Sequence, residues 1–444
     1  MSLPRDILNR SLAFLGRPAA RFAYGDALAS RNDHWAAFPQ FARAARAGLR
    51  QAQFRLGECY LVGLGVPASS QEAIRWLTKA AEAGETAAQT QLASLALQGI
   101  TDRNANGLSA LAPAHGTAPD YHRAEHWSRT AAAAGSAEAK ALLAFILIAG
   151  PDDLRDHVAG DACYRESADA GWSRGQLGRA MILLCEGTLA AAVEAQTLLR
   201  AAAKADVAVA YFLVGAVAES GAAGLVDFPA ALAAYKAAAE LGHAPGQLRY
   251  GLALLAGRGG PTDEFTAETW LRRAALAGQV HAAAAIGDLY VREGDLPPNH
   301  AEAALWFHRA AEAGHAGSAR MLGRFHLHGT GVRRDIQEAV HWLRLAIERG
   351  DDHARADMAQ LALTGQVGEA DQRDTAVWFG RLAETGIPAA QFNLGLCLAQ
   401  GIGVERDDAA ALAWFDAAAE AVPAARFWSD RMLAEGRGLL AASA

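Results

Sequence analysis

Between Ala282 and Gly350 the chain states one pattern twice. Ile286-Gly287, Trp306, Ala310-Ala311 and Gly314 return as Leu322-Gly323, Trp342, Ala346-Ile347 and Gly350, each displaced by 36 residues. A fixed period of this size, with two helix-length segments in each unit, predicts helix pairs that bury their apolar faces by stacking on one another. Aligned on the small residue four before each Leu-Gly, the units start at Ala20, Ala52, Ala88, Ala139, Gln176, Ala210, Gly246, Ala282, Ser318, Ala354, Ala390 and Ala425, and every step from Ala210 to Ala390 is 36 residues.

The first helix of a unit reads small-x-x-x-Leu-Gly-x-x-Tyr/Leu-x-x-Gly, as in Ala52, Leu56-Gly57, Tyr60 and Gly63. Apolar residues at steps of four form one buried stripe. Glycine inside a helix costs about 0.5 to 1 kcal/mol against alanine, so its return at Gly57, Gly215, Gly251, Gly287, Gly323 and Gly395 implies a backbone contact too close for a Cβ. The closing glycine suits a left-handed helix C-cap. The second helix reads Ala-x-x-Trp-x-x-x-Ala-Ala-x-x-Gly. Trp76, Trp127, Trp270, Trp306, Trp342, Trp378 and Trp414 share one place in it. An indole there is expected to fill the groove between the two helices of its unit, while the Ala-Ala pair admits the next unit.

These features resemble the Sel-one-like repeat family of tetratricopeptide-like solenoids. Leu56-Gly57, Tyr60, Gly63-Leu64-Gly65-Val66, Ala73, Trp76, Ala80-Ala81 and Gly84 carry the resemblance, which covers roughly residues 20–436. It departs in the units at Ala139 and Gln176, where Cys163 and Leu198 stand for tryptophan and Ala144 and Met181 for glycine. The expected fold is all-α, a right-handed superhelical solenoid of about eleven 36-residue two-helix repeats with a C-terminal capping helix. Its divisions are an N-terminal segment (1–19), the repeats (20–424) and the cap (425–444). The long step from Ala88 to Ala139 places an exposed inserted loop at 101–119, rich in Gly, Pro, Asn and Ser. The resemblance implies a protein-binding adaptor for assembling complexes, often in bacterial envelope, polysaccharide or signalling systems, with no shared catalytic residue.

Composition narrows the function classes. With 52% apolar and 20% charged residues the chain is a packed protein, and a net charge of −7 supplies no basic stripe for nucleic acid. The longest apolar run, Ala141 to Gly150, is far shorter than the ~20 residues that span a bilayer, and the patch Ser11–Gly16 makes a poor secretory segment. Cys59, Cys163, Cys185 and Cys397 lack any C-x-x-C spacing and read as reduced, buried thiols of a cytoplasmic protein.

Half of the 14 histidines lie between His300 and His353. His326 and His328 stand two apart, which on a helix points them to different sides, so they cannot jointly chelate a metal. A metal site or enzyme using this histidine-rich stretch is an alternative function, with His308 and His328 as its candidate residues. No nucleophile elbow, metalloprotease motif or phosphate-binding loop is present, and the G-x-G turns at Gly63-Leu64-Gly65 and Gly329-Thr330-Gly331 lack the preceding strand and the closing Lys. Asp351-Asp352 and Asp407-Asp408 are expected to cap helices or face solvent. No cofactor and no catalytic residue are expected.

The candidate partner surface is the face of each first helix three, six and ten residues after the unit start. It is polar at Arg55, Glu58, Gln91 and Ser94, but becomes Leu142 and Phe145 in the unit at Ala139, Leu213 in the unit at Ala210, and Arg249 with Leu252 in the unit at Gly246. Either these residues are core or they floor an apolar groove whose polar edge is Arg179, Glu186 and Arg249. Phe145 is expected to be core and Leu213 exposed. The partner is a protein, and a homo-oligomer that buries this face on itself is the other alternative.

Overall fold

The computed structural model describes residues 17–100 and 118–438. The patch Ser11–Gly16, all but the end of the inserted loop, and the tail of the cap lie outside the described residues. The described residues form 23 helices and no strand. In chain order they pair as α1 (Pro18–Ala29) with α2 (His34–Arg46), α3 (Arg50–Val62) with α4 (Ser70–Glu82), α5 (Thr86–Leu97) with α6 (Tyr121–Ala133), α7 (Ala137–Ala149) with α8 (His157–Asp169), α9 (Ser173–Cys185) with α10 (Leu189–Ala203), and α11 (Ala208–Ser220) with α12 (Phe228–Glu240). Then follow α13 (Ala244–Leu255) with α14 (Glu264–Leu276), α15 (Val280–Val291) with α16 (His300–Glu312), α17 (Ala316–His328) with α18 (Ile336–Glu348), α19 (Asp352–Leu363) with α20 (Glu369–Glu384), and α21 (Pro388–Gln400) with α22 (Asp408–Ala418). A last helix, α23 (Pro423–Ala434), stands where the cap is expected.

The helices group into two compact units, Met1–Leu241 and Gly242–Ala444, and each is a run of such pairs in which consecutive helices pack on one another. The all-α helix-pair solenoid is therefore the fold, with eleven pairs and a closing helix.

Local chemistry starts the second helix of nearly every pair. Asp33, Ser69, Asp120, Asp156, Thr188, Asp227, Asp263, Asn299, Asp335 and Asp407 each accept a hydrogen bond from a backbone N–H of the first turn. Each such cap stabilises its helix by roughly 1 kcal/mol. Only α20 lacks one, because Gly368 precedes it. Asp351 caps α19 in the same way, so the first acid of each pair is a cap, while Asp352 faces solvent and Asp408 pairs with Arg406 and Arg437. The first helices α3, α11, α17 and α21 end on a left-handed glycine.

Within a pair, the helical glycine is a crossing point. A Cβ added at Gly57, Gly215, Gly251, Gly287, Gly323 or Gly395 would stand 2.5 to 2.8 Å from the side chain of Leu77, Tyr235, Leu271, Phe307, Leu343 or Phe415 respectively. Each of these partners directly follows the repeated Trp, or Ala234 in α12. The residue after the tryptophan thus fills the groove within the pair, and the reading that gave this role to the indole is corrected. The indoles of Trp306 and Trp342 also reach the preceding pair, while Trp270 meets Tyr250 of its own pair edge-on at 5.8 Å. Trp306 shares a cluster with Leu271 and Ala274 of α14, the Arg272 guanidinium lies 5.2 Å from its ring centre, and its Nε1 donates to Glu302 at 3.0 Å. Trp342 meets His308 of α16 edge-on at 5.1 Å.

The turn glycines have a role that their position between helices does not reveal. In three G-x-G turns the second glycine lies on the backbone that opens the preceding pair's second helix: Gly65 on His34, Gly331 on His300, Gly403 on Gln372. A Cβ at any of the three would collide with main-chain atoms, so these turns lock one pair onto the next.

Candidate partner-binding faces

In the unit Met1–Leu241 the first helices α7 and α9 touch directly, as do α5 and α7. Their outward positions decide the nature of the face. Phe145 on α7 is 43% exposed, contrary to its expected place in the core. Leu213 on α11 is half-buried and packs with Ala210, Leu199 and Val217, contrary to its expected exposure. Leu142 is half-buried beside Phe145.

Helix α9 corrects the register of the unit at Gln176. Its buried residues are Gly175, Gly178, Ala180 and Leu183, whereas Met181 is 50% exposed. The unit therefore starts at Gly175, and Ala180, not Met181, takes the glycine place. One residue fewer separates this start from Ala210 than the regular period provides, a slip hidden by the surrounding small residues. Arg179 consequently points between helices, ion-paired to Asp161 of α8 with 12% of its side chain exposed, and Glu186 is the exposed C-cap of α9. The face three, six and ten residues along becomes Gly178, Met181 and the exposed Cys185, so Phe145 and Met181 occupy equivalent positions on touching helices.

In the unit Gly242–Ala444, Arg249 is exposed on α13 and Leu252 is half-buried, packed against the Leu271–Ile286 cluster. The pair α19 and α20 is the most loosely packed of the eleven. Cavities of about 360 Å³ and 350 Å³ lie there, and Trp378 lines both. The first is ringed by charge: Arg344 holds Asp371 through three hydrogen bonds of 2.9 to 3.3 Å, with Arg355, Asp374 and Arg381 around them. The second is lined by no charged residue.

The histidine-rich stretch serves the helices. His315 Nδ1 accepts the N–H of Ser318 at 3.1 Å and so caps α17, as His243 caps α13. Burial holds both imidazoles below their ordinary pKa, and the nearby His281 adds to the effect at His315. His326 Nδ1 is buried without a partner, His328 is exposed at the end of α17, and His308 lies 3.5 Å from Glu312. Among the described residues no three His, Cys, Asp or Glu side chains are grouped to hold a metal. Cys59 and Cys397 are buried, which pushes each thiol up to about 11, whereas Cys185 is exposed, unlike the expectation for all four. No described helix is long and apolar enough to cross a membrane.

The model of the Sel1 repeat matches residues 50–85, 86–136, 244–279, 280–315, 316–351 and 388–422, just over half of the chain. The chain belongs to the Sel1 repeat family.

Two solved structures similar to this Sel1 chain are bacterial. One is c5321, a protective antigen present in uropathogenic Escherichia coli strains and displaying an SLR fold; it is 24% identical over 91% of this chain and 84% of its own, with a TM-score of 0.68. The other is a Sel1 repeat protein from Oxalobacter formigenes, 26% identical over 73% of this chain and 90% of its own, with a TM-score of 0.51. No curated protein matches the chain significantly. Sel1 repeats generally mediate protein–protein interaction as non-catalytic scaffolds. The residues outside the Sel1 matches include 137–243 and 352–387, and these hold Phe145, Met181 and most of the lining of the cavities around Trp378.

Proposed function

We propose that the chain is an adaptor whose first-helix face around Phe145 and Met181 binds a segment of another protein, in a bacterial envelope, polysaccharide or signalling assembly. The observation that carries this reading is the pair itself: large apolar side chains, 43% and 50% exposed, at equivalent positions of two touching helices, with half-buried Leu142 beside them. The preceding first helices carry polar Glu58 and Ser94 at the same place. Apolar side chains grouped on one face gain by leaving water, at about 25 cal/mol per Å² buried, and a partner surface is what can cover them. Arg249 and Leu252 extend the same first-helix positions in the second unit.

The experiment is capture from the native cell by the tagged full-length chain and by Phe145→Arg/Met181→Arg. One protein enriched by the native chain and reduced at least tenfold by the variant, at unchanged melting temperature, supports the adaptor. An unchanged set of captured proteins sinks it. If light scattering instead gives the native chain twice its mass and the variant its single mass, the face binds a second copy and the adaptor reading fails.

A further inference from the structure

In most regular pairs the crossing sets a glycine on the first helix against an alanine on the second: Gly57 with Ala73, Gly251 with Ala267, Gly287 with Ala303, Gly323 with Ala339, Gly395 with Ala411. In the pair α19 and α20 the same places hold Ala359 and Thr375, both buried. Alanine on both helices is accommodated at the same places by Ala93 with Ala124 and by Ala180 with Ala195, so the distinguishing bulk here is the hydroxyl and methyl of Thr375. Close-packed helices have no free volume to absorb such atoms, so the crossing is wedged open, in keeping with the loose packing of this pair and the two cavities beside it. The missing side-chain cap on α20 removes a further constraint on its approach.

We infer that the uncharged cavity of about 350 Å³ is a binding pocket for the apolar side chain of an extended peptide segment. Its walls include Leu363, Trp378, Leu382 and Ile387, and its polar residues are Gln360 and Asn393, the first exposed and the second half-buried, each with a side-chain amide. Neither amide makes a side-chain hydrogen bond among the described residues. A charged ligand would meet no counter-charge in this lining and would lose its hydration. A peptide suits it on both counts: an apolar side chain replaces water against the walls, and each amide offers a donor and an acceptor, the complement of a peptide group. The volume lies at the lower end of ligand pockets, enough for one side chain with its flanking peptide units and too small for a helix. The cavity is already present in the free protein, so no rearrangement opposes entry. The inference rests on the protein-binding reading above and deepens it, placing a second anchor point in the unit Gly242–Ala444.

The test titrates the full chain with N-acetyl-leucine methylamide, a neutral probe with one apolar side chain between two peptide groups, and with N-acetylglycine methylamide as its control. The readout is the NMR signals of the Trp378 indole and of the Gln360 and Asn393 side-chain amides. A saturable shift with the leucine probe, at least tenfold weaker with the glycine probe, is expected. Ala359→Gly/Thr375→Ala restores the regular crossing and is expected to raise the melting temperature while weakening the leucine probe at least tenfold. Gln360→Ala/Asn393→Ala is expected to leave melting unchanged and weaken the probe several-fold. No saturable shift, equal affinity for the two probes, or undiminished binding by the restored crossing would overturn the pocket. Because the titration needs no native partner, its failure leaves capture through Phe145 and Met181 standing, and failure of that capture leaves the titration readable.

Discussion

Ala144 and Gly160 face each other across the pair α7 and α8 with the usual order reversed: alanine on the first helix, glycine on the second. A Cβ built on Gly160 would stand 3.4 Å from the Ala144 carbonyl oxygen, the relation that Gly57 and Gly323 have to Ala73 and Ala339 at 3.3 and 3.1 Å. The crossing is indifferent to which helix carries the glycine, and it also accepts an alanine on each helix, as at Ala93 with Ala124 and Ala180 with Ala195, all four buried. Where the second helix carries a threonine, Thr375, the pair is the most loosely packed of the eleven.

The close approach at Gly323 predicts the effect of Gly323→Ala. The new Cβ would stand 2.8 Å from Leu343 and 3.1 Å from the Ala339 carbonyl oxygen, neither of which has room to retreat. Overpacking of this kind typically costs about 1 to 3 kcal/mol, beyond the small helix-propensity gain of alanine. Urea unfolding followed by circular dichroism should show the loss, and a variant as stable as the parent would contradict the crossing.

The indole is predicted to hold pairs together, not the two helices of one pair. Trp306→Phe keeps the ring against α14 but abandons the hydrogen bond to Glu302, which also accepts from Arg272 at 2.8 Å. The expected loss is about 1 kcal/mol. Trp306→Ala empties the site and should cost about 3 to 5 kcal/mol. Hydrogen exchange should then rise on both sides of the joint, in α14 and α16. Exchange raised in α15 and α16 alone would return the indole to its own pair.

The histidine caps predict a pH dependence. His243 and His315 accept backbone N–H groups through Nδ1, so the folded state needs the neutral ring, and burial lowers both pKa values below that of a free histidine. A histidine with a lowered folded pKa contributes its full stability above the unfolded value. That stability falls as pH drops from there through the folded value, because the unfolded chain binds the proton first. Melting temperature should therefore decline as pH falls below about 6.5. His243→Asn/His315→Asn, which caps without titrating, should reduce that part of the decline, and an identical pH profile would contradict the assignment.

The repeat made most of the fold legible. Eleven pairs and a closing helix follow from the 36-residue recurrence, because each recurring glycine or alanine marks a place where two backbones approach. The direction of the indole was not legible, since Trp and the residue after it recur together and periodicity alone cannot say which one meets the glycine. The register of α9 was lost because Ala180 and Met181 both interrupt the glycine pattern, and only burial separates them. Arg179 was misplaced with it. The exchange at Gly160 and the bulk at Thr375 were written in the alanine column of the second helix, where a comparison of copies would have found them.

Leu213 and Phe145 separate core from surface. Leu213→Arg buries a charge against Leu199 and Val217 and should cost several kcal/mol, whereas Phe145→Arg should stay within about 0.5 kcal/mol of the parent. Equal melting temperatures for the two variants would contradict the placement.

The claim that Phe145 lies in a partner surface is tested most directly by placing a photo-crosslinker there in the native cell. Phe145→p-benzoylphenylalanine puts the reactive ketone on the proposed face, and Val158→p-benzoylphenylalanine puts it at an apolar site 84% exposed on α8 of the same pair. The account predicts, on irradiation, one adduct of defined mass from position 145, containing a different protein, and none from position 158. No adduct from 145, or the same adducts from both positions, would contradict it.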